Sequence, residues 1–359
     1  MEAKQYQHLV CINCMTYNQA SFIEDAMDGF TMQQTDFPFV CLIVDDASTD
    51  GEQEVLRRYL SVHFDLEDKM LVRNEETDDY VLTYARHKTN CNCFFVVLLL
   101  KYNHYRKKAK SPYYKEWRDN VKYCALCEGD DYWTDPLKLQ KQVEYLDCHP
   151  EIGLCYTDYN HLDQSSNVLT TSMYEGHNKY RTTSYEQFLL KPGYLAPMTW
   201  LYRNELTDLI KNTTIFSDGS YAYMLEFMQN SRVAYLPIVT ATYRSHAGSA
   251  SSPTNVKASW SFFKGVFDTQ LFYSNKYPCS EELRQKVKIQ GYLRWLPVAI
   301  MADQRVFVEE ARNFFESLDM DISLIISELE EGEKRKRSYA YRIGKKLMSP
   351  FSFLRRRFG

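Results

Sequence analysis

Three carboxylates stand within four residues at Glu128-Gly129-Asp130-Asp131. Held that close they repel one another, and a cation relieves the repulsion. Hard ions such as Mg2+ or Mn2+ take oxygen ligands of this kind, often one or two carboxylates plus the phosphates of a substrate. A solvated acidic turn is the ordinary alternative. Here the cluster directly follows an apolar run, Lys122–Cys127, and Gly129 admits close backbone approach. A second acidic pair, Asp45-Asp46, ends another apolar run, and a polar turn, Thr16-Tyr17-Asn18, ends a third.

The elements that must position these groups follow from periodicity. Leu9–Met15 and Phe39–Val44 read as buried strands, and Ser21–Gln33 between them spaces Phe22, Ile23, Ala26, Met27 and Phe30 as a helix does. Glu52–Tyr59 continues as a helix. Strands joined by crossover helices imply a parallel sheet covered on both faces. Ligands of such sheets lie beyond the carboxyl ends of the strands, so three strand ends deliver polar or acidic groups to one edge. That placement favours a metal–diphosphate site over a solvated turn.

Further along, Asp135-Pro136 opens a helix running to Cys148, with Asp as cap and Pro in the first turn. Ile152–Thr157, Leu195–Tyr202 and Arg232–Tyr243 are strand candidates, and the chain turns helical and aromatic from Asn255. The stretch Asp78–Arg118 is expected as helix and loop at the sheet edge. No internal repeat is present.

The composition excludes several classes. With 359 residues, 45% hydrophobic and 25% charged, the chain is of globular type. The N-terminus has no apolar core of a secretory signal, and the longest apolar run, Phe94–Leu100, is far short of the roughly 20 residues of a membrane span. A cytoplasmic protein is the expectation. The 10 cysteines include Cys11/Cys14 and Cys124/Cys127, but residues three apart on a strand face opposite ways, which disfavours zinc and favours reduced core thiols.

The motifs resemble those of family 2 glycosyltransferases with the GT-A fold, which act in bacterial surface-polysaccharide assembly. The stretches that carry the likeness are Thr16-Tyr-Asn18, Val44-Asp-Asp-Ala-Ser-Thr-Asp-Gly51, Glu128-Gly-Asp-Asp-Tyr-Trp-Thr-Asp-Pro-Leu-Lys-Leu-Gln-Lys-Gln-Val143, Ser217-Asp-Gly-Ser220 and Tyr243-Arg-Ser-His246. They extend over about residues 8–250. The resemblance implies an α/β, Rossmann-like, mostly parallel central sheet with helices on both faces, followed by a C-terminal helical segment. It implies a GT-A domain over residues 1–250, its nucleotide-binding half near 1–131 and its acceptor-binding half near 132–250, then a helical segment 251–332 and a tail 333–359.

Roles come with the resemblance. Thr16, Tyr17 and Asn18 would lie against the nucleotide, and Asp46, with Asp45 as the alternative, would bond the base. Glu128-Gly-Asp130 stands where the family has Asp-x-Asp, departing from it by its Glu. Glu128 would face the ribose or reach the metal through water. The metal, Mn2+ or Mg2+, would fall to Asp130 or Asp131, with His246 completing the coordination or donating to a phosphate, and Arg244 adding charge. Asp218 matches the general base that takes the acceptor's proton; a helix cap is its plain role. Trp133, next to the acidic turn, either packs on an acceptor sugar or belongs to the core.

The expected activity is inverting transfer of a sugar from a nucleotide diphosphate, with a UDP-linked sugar as the expected donor, to a hydroxyl of a glycan or lipid-linked acceptor. A nucleotidyltransferase shares acidic strand ends and Mg2+, but usually has a Gly-rich loop and Lys after its first strand, where this chain has Met15-Thr-Tyr-Asn-Gln-Ala20. A non-catalytic sugar-nucleotide binder is the other alternative, against which Asp46, Asp130, Asp131 and Asp218 all stand intact. The tail from Glu333 mixes Lys and Arg with Leu347, Met348, Phe351, Phe353, Leu354 and Phe358. Such a mixture suits an anionic membrane surface; nothing else in the chain supports nucleic-acid binding.

Overall fold

The computed structural model describes residues 5–105, 110–210, 216, 218–246 and 255–336. Two compact units form. One takes the chain up to Ser184 with Gly193–Asn212 and Glu226–Ala247; the other takes Tyr185–Pro192, Thr213–Leu225 and the chain from Gly248.

The first unit is built on one sheet. Its strands are β1 (Val10–Thr16), β2 (Phe39–Asp45), β3 (Phe64–Asp65), β4 (Arg73–Glu76), β5 (Tyr80–His87), β6 (Cys93–Leu100), β7 (Tyr123–Leu126), β8 (Tyr132–Trp133), β9 (Ile152–Asp163), β10 (Val168–Thr170), β11 (Leu201–Arg203) and β12 (Arg232–Ser245). Its helices are α1 (Ile23–Thr31), α2 (Glu52–His63), α3 (Lys115–Asp119) and α4 (Lys138–Cys148). The strand order is β3-β5-β6-β2-β1-β7-β11-β9-β12-β8, with β4 on β5 and β10 on β9. The centre, β6-β2-β1-β7, is parallel, whereas β5, β11 and β8 pair antiparallel with their neighbours. The crossover through α1 explains the parallel β1–β2 pair, and the short β5–β6 connection allows an antiparallel pair, whereas β11 and β8 join their neighbours from far along the chain.

β2 is buried along its whole length, as a strand covered on both faces must be. The same holds for most of β6, and this corrects the expectation for residues 78–118. Phe94–Leu100 is a central strand beside β2, not a helix or loop, and Tyr80–His87 pairs with it. An unbroken apolar run has no period, so strand and helix look alike in it. Between Leu195 and Tyr202 the chain makes a short 3-10 turn, Pro197–Thr199, and pairs as a strand only over Leu201–Arg203. Cys11, Cys14, Cys124 and Cys127 are buried free thiols.

The second unit contains α5 (Tyr185–Leu190), the start of α6 (Gly219–Asn230), and the succession α7 (Val256–Lys276), α8 (Glu281–Met301), α9 (Arg305–Glu316) and α10 (Ser323–Lys336). Trp260, Phe267, Trp295, Phe307 and Phe315 make its core. Gly291 of α8 is required there, because a Cβ would stand 2.0 Å from the Phe267 ring. The basic tail lies outside the described residues. Among the described residues no helix is long and apolar enough to cross a membrane.

Candidate active site

The turns after β1 and β2 are tied through one buried acid, Glu52, at the start of α2. Its Oε1 accepts from the Thr16 hydroxyl. Its Oε2 accepts from the Gln19 amide at 2.8 Å and the Ser48 hydroxyl at 2.9 Å. The Ser48 hydroxyl also accepts from the Asn18 amide (2.8 Å), and the Asn18 side-chain oxygen accepts from the Thr49 amide (2.8 Å). Asn18 and Ala47 hold left-handed backbone, φ 56° and 62°. Asn tolerates that conformation; for Ala it is a strained turn, which this network must stabilise. Burial pushes the Glu52 carboxyl up. Of the three residues expected against a nucleotide, Thr16 is buried with its hydroxyl engaged, while Tyr17 and Asn18 are exposed.

The aspartates at the end of β2 diverge. Asp45 turns inward: Oδ1 accepts from Gln53 Nε2 (2.5 Å) and the Ser48 amide (3.2 Å), and Oδ2 has no hydrogen-bond partner among the described residues. Burial pushes its carboxyl up. Asp46 is held by the segment after β6. Its Oδ1 accepts from the His104 amide at 2.7 Å, its Oδ2 pairs with Lys110 Nζ at 3.0 Å, and its carbonyl accepts from Asn103 Nδ2 at 3.1 Å. An ionised carboxylate has about four lone-pair sites, so these contacts leave Asp46 with capacity to accept another bond.

After β7 the acidic turn doubles back, the Asp131 amide donating to the Glu128 carbonyl at 3.2 Å. Gly129 is pressed against the β1 turn: a Cβ there would stand 2.6 Å from both Thr16 Oγ1 and Gln19 Oε1. Only glycine lets the acidic turn approach β1 so closely. Asp131 is buried, and Oδ1 accepts from the Arg244 amide at 2.8 Å. Burial and the neighbouring Asp130 push its carboxyl well up. Asp130 instead meets the end of β12, its Oδ2 standing 3.0 Å from His246 Nε2. Glu128 is exposed.

Arg244 fixes that end of β12. Its guanidinium is buried, bonds Asp25 of α1 at 2.5 Å, and lies 4.7 Å over Phe22 and 5.2 Å over Tyr132. The Phe22 ring also touches the His246 ring, 4.7 Å between centroids. A buried cation stacked on two rings makes a rigid strut from α1 to the acidic turn.

Trp133 belongs to the core. It is 2% exposed, its Nε1 donates to the Met198 carbonyl at 2.8 Å, and its ring packs on Phe30 at 5.1 Å. A sugar cannot stack on a ring so enclosed, so its acceptor role is set aside. Asp218 lies in the second unit and caps α6: Oδ1 accepts from the Tyr221 amide at 3.0 Å and the Ser220 hydroxyl at 2.7 Å. Its second oxygen leaves capacity for a proton, so cap and base do not exclude each other.

The donors at the acidic turn suit a divalent ion. Asp130 offers carboxylate oxygen and His246 imidazole nitrogen, side by side and only part-buried. No group of three or more His, Cys, Asp or Glu among the described residues is arranged as a metal cage. A Mg2+- or Mn2+-type ion needs no such cage, because phosphates and water fill its remaining positions. Sequence reasoning missed Glu52, His104 and Lys110, each of which reaches its partner only through the fold.

Comparison with known proteins places the fold. No family model matches the chain. Uncharacterized proteins of Mycobacterium tuberculosis and Mycobacterium bovis are 36% identical over 142 residues, which is 40% of this chain and 32% of each relative. The crystal structure of residues 1–349 of TarS from S. aureus superposes with a TM-score of 0.52 at 14% identity, covering 92% of this chain and 93% of that one. Its complex with UDP-GlcNAc gives 0.50 over the same shares. The mannosyltransferase of Pyrobaculum calidifontis, solved with GDP-Man and Mn2+, gives 0.52 at 14% identity over 97% and 86%. The chain thus has the mixed α/β architecture of GT-A glycosyltransferases.

Proposed function

We propose that this chain is a family 2-type glycosyltransferase. It takes a nucleotide diphosphate sugar, a UDP-sugar in the first instance, and passes the sugar with inversion to a hydroxyl of a glycan or lipid-linked acceptor. The observation that carries the reading is the Asp130–His246 pair, set beside the β1 and β2 turns at one edge of the parallel sheet. Likeness in fold to enzymes solved with UDP-GlcNAc and with GDP-Man supports it.

In this reading Tyr17 and Asn18 line the nucleotide, and Asp46, with the segment it holds, bounds the base end. Glu128 faces the ribose. Asp130 and His246 hold Mn2+ or Mg2+, which when bound neutralises charge on the departing diphosphate. Asp131 keeps a supporting role, because its Oδ1 holds the Arg244 amide. Asp218 accepts the acceptor's proton as the new glycosidic C–O bond forms and the bond to diphosphate breaks.

Slow hydrolysis of UDP-GlcNAc in the presence of Mn2+ tests the reading: release of UDP by the wild-type chain, abolished by EDTA, is expected. If UDP-GlcNAc is bound but not turned over, the transferase reading fails and the non-catalytic sugar-nucleotide binder takes its place.

A further inference from the structure

His246 is the first residue past β12, so the strand ladder, which ends at Ser245, does not fix its side chain. Its ring is part-buried and stands 3.0 Å from Asp130. A carboxylate can only accept, so Nε2 carries the proton of that contact. One hydrogen bond does not fix the tilt of a ring. A further contact comes from the start of α1, where Phe22 meets the imidazole at 4.7 Å between centroids and 45°.

Phe22 stands at the N-cap position of α1 and Asp25 in its first turn. Three residues apart, they share one side of the helix. Arg244 and His246, two apart at the end of β12, both turn to that side. Asp25 pairs with the Arg244 guanidinium at 2.5 Å, and Phe22 touches both that guanidinium, at 4.7 Å, and the His246 ring. The Arg244 amide meanwhile donates to Asp131 at 2.8 Å. Both acids of the acidic turn thus meet the end of β12, and α1 braces that end from the other side.

The neighbouring acid shows that Asp25 is more than an acidic residue at a helix start. Glu24 pairs with Arg58 at 2.7 Å, but 49% and 63% of the two side chains are exposed, and such a pair contributes little. Of the Arg244 side chain only 5% is exposed. Its Nε has no hydrogen-bond partner among the described residues. Its buried charge leans on Asp25, on the faces of Phe22 and Tyr132, and on the field of Asp131. The helix is a firm base for this. Ile23, Ala26, Met27 and Phe30 are fully buried, Phe30 packs on Trp133 of β8, and Gln33 Nε2 donates to the Asp135 carbonyl at 2.9 Å. α1 is thereby held against the residues that follow the acidic turn.

We propose that Phe22 and Asp25 are positioning residues: α1 clamps the end of β12 at two points and so presents the His246 ring to Asp130. The proposal rests on the transferase reading and says how its metal-side histidine is set. Asp25 acts through Arg244, and Phe22 through ring contact.

Two readouts on the full chain test it. The first needs no metal: proton–nitrogen correlation NMR of the His246 imidazole in EDTA, its signals assigned by their loss in His246→Gln. Wild type should show one tautomer, with the proton on Nε2. Phe22→Leu, which keeps apolar bulk but no ring, and Asp25→Ala should each give averaged tautomers. Asp25→Glu, which keeps the charge, should restore the single one. The second readout is UDP affinity by calorimetry, with Mn2+ and with EDTA. Phe22→Leu and Asp25→Ala should each forfeit about 3- to 10-fold of the tightening by Mn2+, the range of one cation–π contact, while affinity in EDTA stays at the wild-type value. Melting curves show that the variants are folded. A His246 spectrum unchanged in both variants overturns the proposal. So does an equal fall in affinity with Mn2+ and with EDTA, the pattern of general damage to the fold. A wild type that binds UDP no tighter with Mn2+ is a failure of the metal reading instead, and the His246 spectrum then decides the clamp by itself.

Discussion

The acidic pairs at the ends of β2 and β7 are alike on paper and different in space. Asp45 and Asp131 are both buried, both pushed up by burial, and both hold a main-chain amide: Ser48 for one, Arg244 for the other. Asp46 and Asp130 are the members whose second role differs. Asp46 is gripped by the His104 amide and the Lys110 ammonium, whereas Asp130 meets the His246 imidazole. In the β7 pair Asp131 is buried and Asp130 only part-buried; in the β2 pair both are buried, and Asp46 differs in being held by the segment after β6. Two adjacent acids need not mean two ligating acids.

Several substitutions would break or sharpen this contrast. The largest effect is expected outside both pairs, at Asp218, which caps α6 and is also the proposed base. Asp218→Asn keeps size and capping but cannot take a proton, so turnover with acceptor should fall about 10²–10⁴-fold while UDP affinity stays. Near-normal turnover with a lowered melting temperature would leave it a cap alone.

Next comes Asp131. Asp131→Ala removes the acceptor of a buried amide and should cost about 1–3 kcal/mol of stability by denaturant unfolding. Asp130→Ala should cost much less, because Asp130 meets only a part-exposed histidine. Equal losses would erase the distinction between supporting and ligating acids.

The smallest effects separate the carboxylate of Asp46 from the cation that holds it. Asp46→Ala should weaken UDP binding about tenfold, or 1.4 kcal/mol, measured by calorimetry. Lys110→Met should change it by less, since it removes a holder and not the base contact. Identical losses would mean that the segment, rather than the carboxylate, reads the base.

Much of this edge was legible in the sequence because strands covered on both faces leave apolar runs that end abruptly in polar turns. β1, β2 and β7, with their turns, are read directly from Leu9–Met15, Phe39–Val44 and Lys122–Cys127. The run at Phe94–Leu100 is just as apolar, but no recognisable crossover helix flanks it, so its place beside β2 stayed hidden. Partner choice was less legible still. Asp130 and His246 lie 116 residues apart, and Asp46 and Lys110 64 apart, so no local pattern joins them. Exposure was not legible either: Trp133 and Tyr17 are both large rings beside polar residues, and only packing buries the one and leaves the other exposed.

Calorimetric titration of UDP into the full chain, with Mn2+ and then with EDTA, addresses the central claim most directly when wild type and Asp130→Asn are compared. Mn2+ should tighten UDP binding by wild type at least about tenfold, or 1.4 kcal/mol, and should leave the Asp130→Asn variant unmoved. UDP affinity that is the same in EDTA, or a metal response that survives in Asp130→Asn, would contradict a metal–diphosphate site at this turn.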